Sequence, residues 1–304
     1  LHQLEIFVRL SRTLSVTQTA EELNLSQPAV SIQLKNFQSN FAIPLTEIVH
    51  KRLYLTEFGK TVALKAAEVL RSTEGVNQCL AAYQGEITGP LRISTVSTGK
   101  YIAPYLLAPY IKQHPSVDIS LNVSNKSTVL QELTGNEIDL ALVSLKPELR
   151  LEEYVLMENE FVLVGVKPPV SAEVWSPDRL GSIPILFREP GSATRQMMER
   201  YLQQHGITVK RSLELTSNEA IKQSIKAGLG YSIMPKVSIL PDLEQGKLFI
   251  QPVRGLPIRS QWSFIWPEGK KLSPQAQAFL DNVHEHAHEH LQRFQSKRMG
   301  TPKP

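Results

Sequence analysis

Only Asn24 and Leu25 separate two short runs of helical periodicity, and this connection constrains the fold more than any other feature of the chain. Ahead of it Val16, Ala20 and Leu23 recur at spacings of four and three; behind it Val30, Leu34, Phe37 and Phe41 do the same. Both sets predict a helix with one apolar face. Ser15, followed three residues later by Gln18, has the form of a capping box for the first of these helices. Ser26 is placed to cap the second, where Pro28 is tolerated in the first turn because its missing N–H would have no partner there. Two short helices joined by so brief a turn make a helix-turn-helix. An earlier helix, with Leu4, Phe7, Val8 and Leu10 on one face, completes a three-helix head. Lys51-Arg52-Leu53-Tyr54-Leu55 then predicts a short strand with a basic start, the wing of a winged helix spanning residues 1–58.

A linker segment, 59–88, follows with a different period. Val62, Ala66, Val69, Thr73, Val76, Leu80 and Tyr83 alternate steps of four and three, which is a coiled-coil seam and predicts a dimerisation helix. The other reading is one amphipathic helix packed on its own domain. Gly85 and then Gly89-Pro90 end the helix and supply a hinge. From residue 91 to about 270 the pattern changes again. Segments 91–96, 117–123, 138–143, 161–166, 183–187, 213–215, 231–234 and 262–266 read as strands, with helical stretches at 101–113, 127–135, 192–205 and 218–227. Such alternation predicts an α/β domain with largely parallel sheets, as one body or two lobes. Residues from Ser273 to about Phe294 read as a final helix.

Composition excludes several classes. Of 304 residues 41% are hydrophobic and 20% charged, near the average for globular proteins. No apolar run approaches the roughly 18–20 residues a membrane helix needs, and the charged start LHQLEIFVRLSRTLS lacks the apolar stretch of a signal peptide, so the expectation is a cytoplasmic protein without membrane contact. A single cysteine, Cys79, makes no internal disulfide. The net charge of +4 permits an anionic partner without requiring one. Over residues 1–60 six basic and five acidic side chains leave only +1, so a claim on nucleic acid rests on local geometry.

Gln27, Ser31 and Lys35 fall one turn apart on the side of their helix opposite Val30, Leu34 and Phe37. Glutamine and serine read base edges in the major groove and lysine holds phosphate. A plain solvated face has the same pattern, and the capped helix and tight turn before it favour DNA. In the α/β region polar residues cluster where strands end and helices begin: Ser97-Thr98-Gly99-Lys100, Asn125-Lys126-Ser127-Thr128, Arg188 to Arg195, and Ser217-Asn218. Helix N-termini converging on one cleft would hold a small anion, with Lys100, Arg188 and Arg195 adding charge; ordinary N-capping explains any one segment alone. His284-Glu285 with His288, and His286 with Glu289-His290, match zinc-protease patterns in both directions, as a low-complexity His/Glu run does by accident, and no metal is expected. No G-x-S-x-G, G-x-x-x-x-G-K or G-x-G-x-x-G occurs, so an enzyme reading lacks a reaction centre. A solute-binding protein leaves residues 1–86 unexplained.

From Ala20 to Ser31 the sequence AEELNLSQPAVS resembles the helix-turn-helix core of the LysR-type transcriptional regulators, and the match continues through Leu45 and Lys51–Gly59. Gly89-Pro-Leu-Arg-Ile93, Glu137–Leu142 and Gly228–Pro235 are similar to that family's effector domain. Ser97–Tyr101, Arg188–Ser192 and Lys51–Thr56 look most like the subgroup that controls carbon-fixation and inorganic-carbon uptake genes. The resemblance implies a DNA-binding winged helix-turn-helix and a linker helix. It also implies a two-lobed effector domain over 89–294 like periplasmic binding proteins, with lobe I near 89–161 and 266–294, lobe II near 162–265, and a tail at 295–304. It implies that Ser26, Gln27, Pro28, Ser31, Gln33 and Lys35 meet promoter DNA, with Lys51 and Arg52 in the wing. It also implies that Ser97, Thr98, Lys100, Asn125, Ser144, Arg188, Arg195 and Asn218 line the effector cleft. The partners it implies are a phosphorylated sugar or phosphoglycolate-like anion, a homodimer assembling to a homotetramer, and RNA polymerase, with no cofactor. Thr46 stands where the family has a phenylalanine under the wing, Ile48 and His50 replace a polar residue and a glycine, and Ala193 replaces the second glycine of Gly-Ser-Gly-Thr.

Overall fold

The computed structural model describes residues 1–50, 52–83, 86–170, 173–291 and 294, with the backbone alone at 71, 74–83, 288 and 290. The chain divides into two compact units, Leu1–Thr88 with Gly135–Glu137, and Gly89–Thr134 with Ile138–Pro304.

The first unit contains α1 (His2–Thr13), α2 (Val16–Glu22), α3 (Gln27–Gln38), a hairpin of β1 (Thr46–Val49) and β2 (Arg52–Leu55), and α4 (Glu57–Tyr83). Its caps follow the expected chemistry: the Ser15 hydroxyl accepts from the Gln18 amide and that of Ser26 from the Ala29 amide. The box at Ser15 is only half made, because the Gln18 side chain turns to Glu22 and Thr13 Oγ1 accepts from the Ser15 amide instead. Asn24 takes the turn at φ 53°, a left-handed conformation that asparagine tolerates. Ile6, Ala20 and Val30 form one small core, and Phe7, Leu10, Phe37, Leu45 and Ala63 a second. The start of the seam is covered by the chain itself. Val62 packs on the second of these cores and Ala66 is buried, leaving Val69 45% exposed and Thr73 partly so. Of Val76, Leu80 and Tyr83 the side chains lie outside the described residues. So the first turns of α4 do the work of a domain helix, because α1 packs along them.

The second unit runs β3 (Gly89–Val96), α5 (Ala103–Gln113), β4 (Val117–Ser124), α6 (Lys126–Thr134), β5 (Leu140–Val143), β6 (Leu151–Gly165), β7 (Ile185–Arg188), α7 (Ala193–Gln204), β8 (Ser212–Leu215), α8 (Asn218–Lys226), β9 (Ser232–Pro235), α9 (Leu240–Glu244), β10 (Phe249–Gln251), β11 (Ile258–Pro267) and α10 (Pro274–Leu291). Strands β5, β3 and β4 are parallel neighbours in that order, so the chain leaves β3 to one side and later returns to the other. The carboxyl ends beside that reversal are where α/β sheets bind ligands. Under this sheet Tyr110 and Phe264 each meet Phe279 edge-on at 5.3 Å.

The sheet is not largely parallel. β11 pairs antiparallel along its whole length with Leu151–Phe161 of β6, with a register shift between Trp262 and Ser263, and β9 and β10 join the far end of β6 antiparallel. The expected strand 161–166 is only the end of the 15-residue β6. Its earlier half, Leu151–Glu160, is only partly buried, and glutamates at 152, 153, 158 and 160 confine its apolar run to Tyr154–Met157. β6 passes from lobe I, where it pairs β11, into lobe II, where it pairs β9 and β10. β11 runs beside β6 from Ile258, which pairs with Phe161, to Pro267, which pairs with Leu151. Lobe II buries two apolar clusters around Phe161, Met198 and Tyr201, and around Val164, Ile221 and Ile239. β7 and β8 pair parallel beside them.

Candidate DNA-binding face and inter-lobe cleft

Val30 and Phe37 turn into the head and Leu34 packs on the same cores, while the other side of α3 meets solvent. Ser26, Gln27, Pro28, Lys35 and Arg52 are exposed, Ser31 and Gln33 half-buried, and Lys51 lies outside the described residues. The Gln27 amide donates to the Ser31 hydroxyl at 3.1 Å and Gln3 donates to Gln33 at 3.2 Å. Gln27, Ser31 and Gln33 are thus held by single side-chain bonds longer than 3 Å. Under the wing Thr46 faces a cavity of about 250 Å³ whose other walls include Phe7, Leu10, Leu34, Leu45, Lys35 and Leu53.

The second site lies in the effector unit. Ser97 and Thr98 follow β3, Asn125 and Lys126 follow β4, and Arg188 ends β7; with Glu189, Ser192, Ala193 and Thr194 they line one cavity between the lobes. Gly99 is required there because a Cβ would collide with the Thr95 hydroxyl, and Gly191 because its φ is 85°. Arg188 is 2% exposed. Glu189 clasps its guanidinium with two 2.7 Å bonds, and the same group reaches the Ser97 hydroxyl at 3.4 Å and the Thr216 carbonyl at 3.5 Å. Lys126 donates to Gln196 at 3.3 Å, and burial, then the nearby Arg200, pushes its pKa down. Ser192, Asn125 and Ser217 each cap their own helix. The cavity holds only about 10 Å³, room for about one water.

Of the expected cleft residues, the structure therefore brings together Ser97, Thr98, Asn125 and Arg188. Arg195 lies elsewhere: it donates to Glu199 at 2.7 Å, to Glu214 at 2.5 Å and to the Arg188 carbonyl at 2.9 Å, lining a separate groove of about 640 Å³. One turn along α7 and the facing strand β8 each place a carboxylate beside it, and those bonds, against a smaller cost of burial, raise its pKa. Lys100 is exposed over the Tyr101 ring at 5.2 Å. Ser144 is buried outside the cavity wall, as is Asn218. Lys126 and Glu189 were missed as site residues. Adjacency to Arg188 was the one available signal for Glu189, and it does not distinguish a clasp from a solvated neighbour. Among the described residues no three His, Cys, Asp or Glu side chains gather to hold a metal. His284 meets the Tyr154 hydroxyl at 3.3 Å, whereas the side chains of His288 and His290 lie outside the described residues.

Residues 1–60 match the model of the bacterial regulatory helix-turn-helix protein, lysR family, and residues 84–288 match that of the LysR substrate binding domain. The chain belongs to the LysR family of transcriptional regulators. This LysR-type chain is 36% identical to the RuBisCO operon transcriptional regulator of Acidithiobacillus ferrooxidans over 284 residues, covering 92% of each. Its effector domain is similar to the regulatory domain of Synechocystis PCC6803 CcmR in complex with 2-PG, with TM-score 0.63 and 30% identity over 70% of this chain and 100% of that one. A full-length OxyR variant from Pseudomonas aeruginosa shares the fold, with TM-score 0.73 and 18% identity over 94% of this chain and 93% of that one. The LysR-type chain is thus a DNA-binding regulator rather than an enzyme, with periplasmic-binding-protein-like lobes behind a winged head. Among its described residues no helix is long and apolar enough to cross a membrane.

Proposed function

We propose that this regulator controls carbon-fixation or inorganic-carbon uptake genes from the cytoplasm and that a small phosphorylated anion, bound between its lobes, sets how it sits on promoter DNA. The observation that carries the effector reading is Arg188, a nearly buried guanidinium at the lobe boundary whose counter-charge is supplied by its own neighbour Glu189. A phosphoryl group presents the same two-oxygen face to a guanidinium as that carboxylate, so it can replace Glu189 there while Lys126, Ser97, Thr98 and Asn125 take its remaining oxygens. Because the closed cavity has room for about one water, the anion acts by favouring a different separation of the lobes. The bound 2-PG of the CcmR domain supports this ligand class. On the DNA side Gln27, Ser31 and Gln33 read base edges and Lys35, Arg52 and Lys51 hold phosphates, from a homodimer that assembles to a tetramer and meets RNA polymerase.

The test is fluorescence anisotropy of the full chain on its own upstream DNA and on a scrambled duplex, across a salt series, with and without 2-phosphoglycolate or ribulose bisphosphate. Specific binding that weakens with salt and shifts with either compound is expected. Gln27→Ala should cost about 1–3 kcal/mol of the preference for the specific site. Equal affinity for both duplexes overturns the promoter reading; specific binding untouched by both compounds overturns the effector reading.

A further inference from the structure

An isoleucine stands at the outermost point of α3. Successive residues of a helix advance by about 100°, so Ile32, two positions after Val30, points about 200° away from it. Val30, Leu34 and Phe37 pack into the head, and Ile32 lies on the far side from all three. It is 58% exposed and joins neither of the head's cores. Its neighbours on that side are Pro28, one turn before, and Lys35 and Asn36, one turn after, all exposed. A single exposed aliphatic residue is ordinary on a protein surface. This one, however, lies on the second helix of a helix-turn-helix, and there the side chain furthest from the core reaches deepest into the major groove.

The chemistry of the groove then narrows what Ile32 can meet. Base edges there present hydrogen-bond donors and acceptors and one apolar group, the C5 methyl of thymine. Ile32 has neither donor nor acceptor. A polar edge beneath it would lose its water without gaining a partner, whereas a thymine methyl would be buried against it. The discrimination works in both directions, because cytosine offers an amino donor at the position where thymine has only an acceptor and the methyl. A β-branched side chain is also nearly fixed at χ1 in a helix, so Ile32 loses little freedom on making the contact. Gln27 and Ser31, which bond each other at 3.1 Å, are suited instead to the polar edges.

We propose that Ile32 is a specificity-determining residue that reads a thymine methyl, so that the regulator requires thymine itself, and not merely an A·T pair, at one position under the middle of α3. This rests on the reading of the outer side of α3 as the base-reading face. The test starts from the duplex that the full chain selects out of a random pool, which makes it independent of the native promoter. Each thymine of that duplex is replaced in turn by deoxyuridine, which lacks only the C5 methyl and keeps every hydrogen bond of the base pair. In fluorescence anisotropy one such replacement should weaken binding about fourfold. Ile32→Ala should abolish that penalty and leave the effect of every other replacement alone, while Ile32→Val, which keeps the branch, should retain most of it. The salt dependence of Ile32→Ala should match that of the unaltered chain, since no phosphate contact is lost, and its melting temperature should not fall. A penalty that persists in Ile32→Ala, or the lack of any thymine whose methyl matters, overturns the reading of Ile32; if Gln27→Ala still loses the preference for the selected duplex, the reading of the α3 face stands. A smaller oligomer of Ile32→Ala in light scattering without DNA would mean a contact between copies of the chain, and it too overturns the proposal. If no duplex is selected, both readings fall.

Discussion

At the scale of single residues the cleft is governed by who neutralises Arg188. A cation 2% exposed is tolerated only with a partner, and Glu189 supplies one from the next position in the chain. That partner competes with any anion from outside. Glu189→Gln keeps the shape and removes the charge, so effector affinity should rise about tenfold in a direct titration, a 1.4 kcal/mol change. Unchanged affinity would mean that the anion does not meet this guanidinium. Arg195 shows the converse: it is cationic and in the expected segment, and its charge is spent on Glu199 and Glu214. Arg195→Ala should therefore leave effector affinity alone and lower stability by about 1 kcal/mol, or roughly 2–4 °C in melting temperature.

Helices and strands tell a second story, in which local chemistry sets the element and its neighbours set its job. The wing is a case in point. β1 and β2 pair as an ordinary hairpin through His50 at φ 48°, but Thr46 is too small to occupy the space beneath them. The LysR-type resemblance places a phenylalanine there. Thr46→Phe should fill the cavity of about 250 Å³ and stabilise the head by about 0.5–2 kcal/mol, read as a higher melting temperature. A lower one would mean that Lys35 and Gln38, which also border it, cannot yield. α4 makes the same point: its heptad spacing is real, yet Val62 serves the head's own core, so the spacing alone did not tell a partner helix from a domain.

For the whole molecule the division into Leu1–Thr88 and the unit beginning at Gly89 separates reading DNA from sensing a ligand. The second unit has its own sheet and cores, and every residue lining the cleft belongs to it. A fragment of residues 89–294 should fold alone and bind the effector as tightly as the full chain, while losing the promoter duplex; calorimetry and anisotropy check the two halves. A large loss of effector affinity in the fragment would mean that the head contributes to the site.

What the sequence by itself determined is what neighbours along the chain decide. Ser15 and Ser26 as caps, the two-residue turn at Asn24, the apolar faces of α1 to α3 and the polar residues at strand ends all depend on spacings of a few positions, which local hydrogen bonding and helical period impose. The antiparallel pairing of β6 with β11 did not, because the first half of β6 is half solvated and its apolar run is only the four residues Tyr154–Met157 between glutamates. Nor did the site. Arg188 meets Ser97 91 residues away, Arg195 on α7 meets Glu214 on β8, and Asn218 is buried without a partner for its amide. Tertiary structure alone decides these, since a side chain's partner depends on which surfaces the packed cores bring face to face.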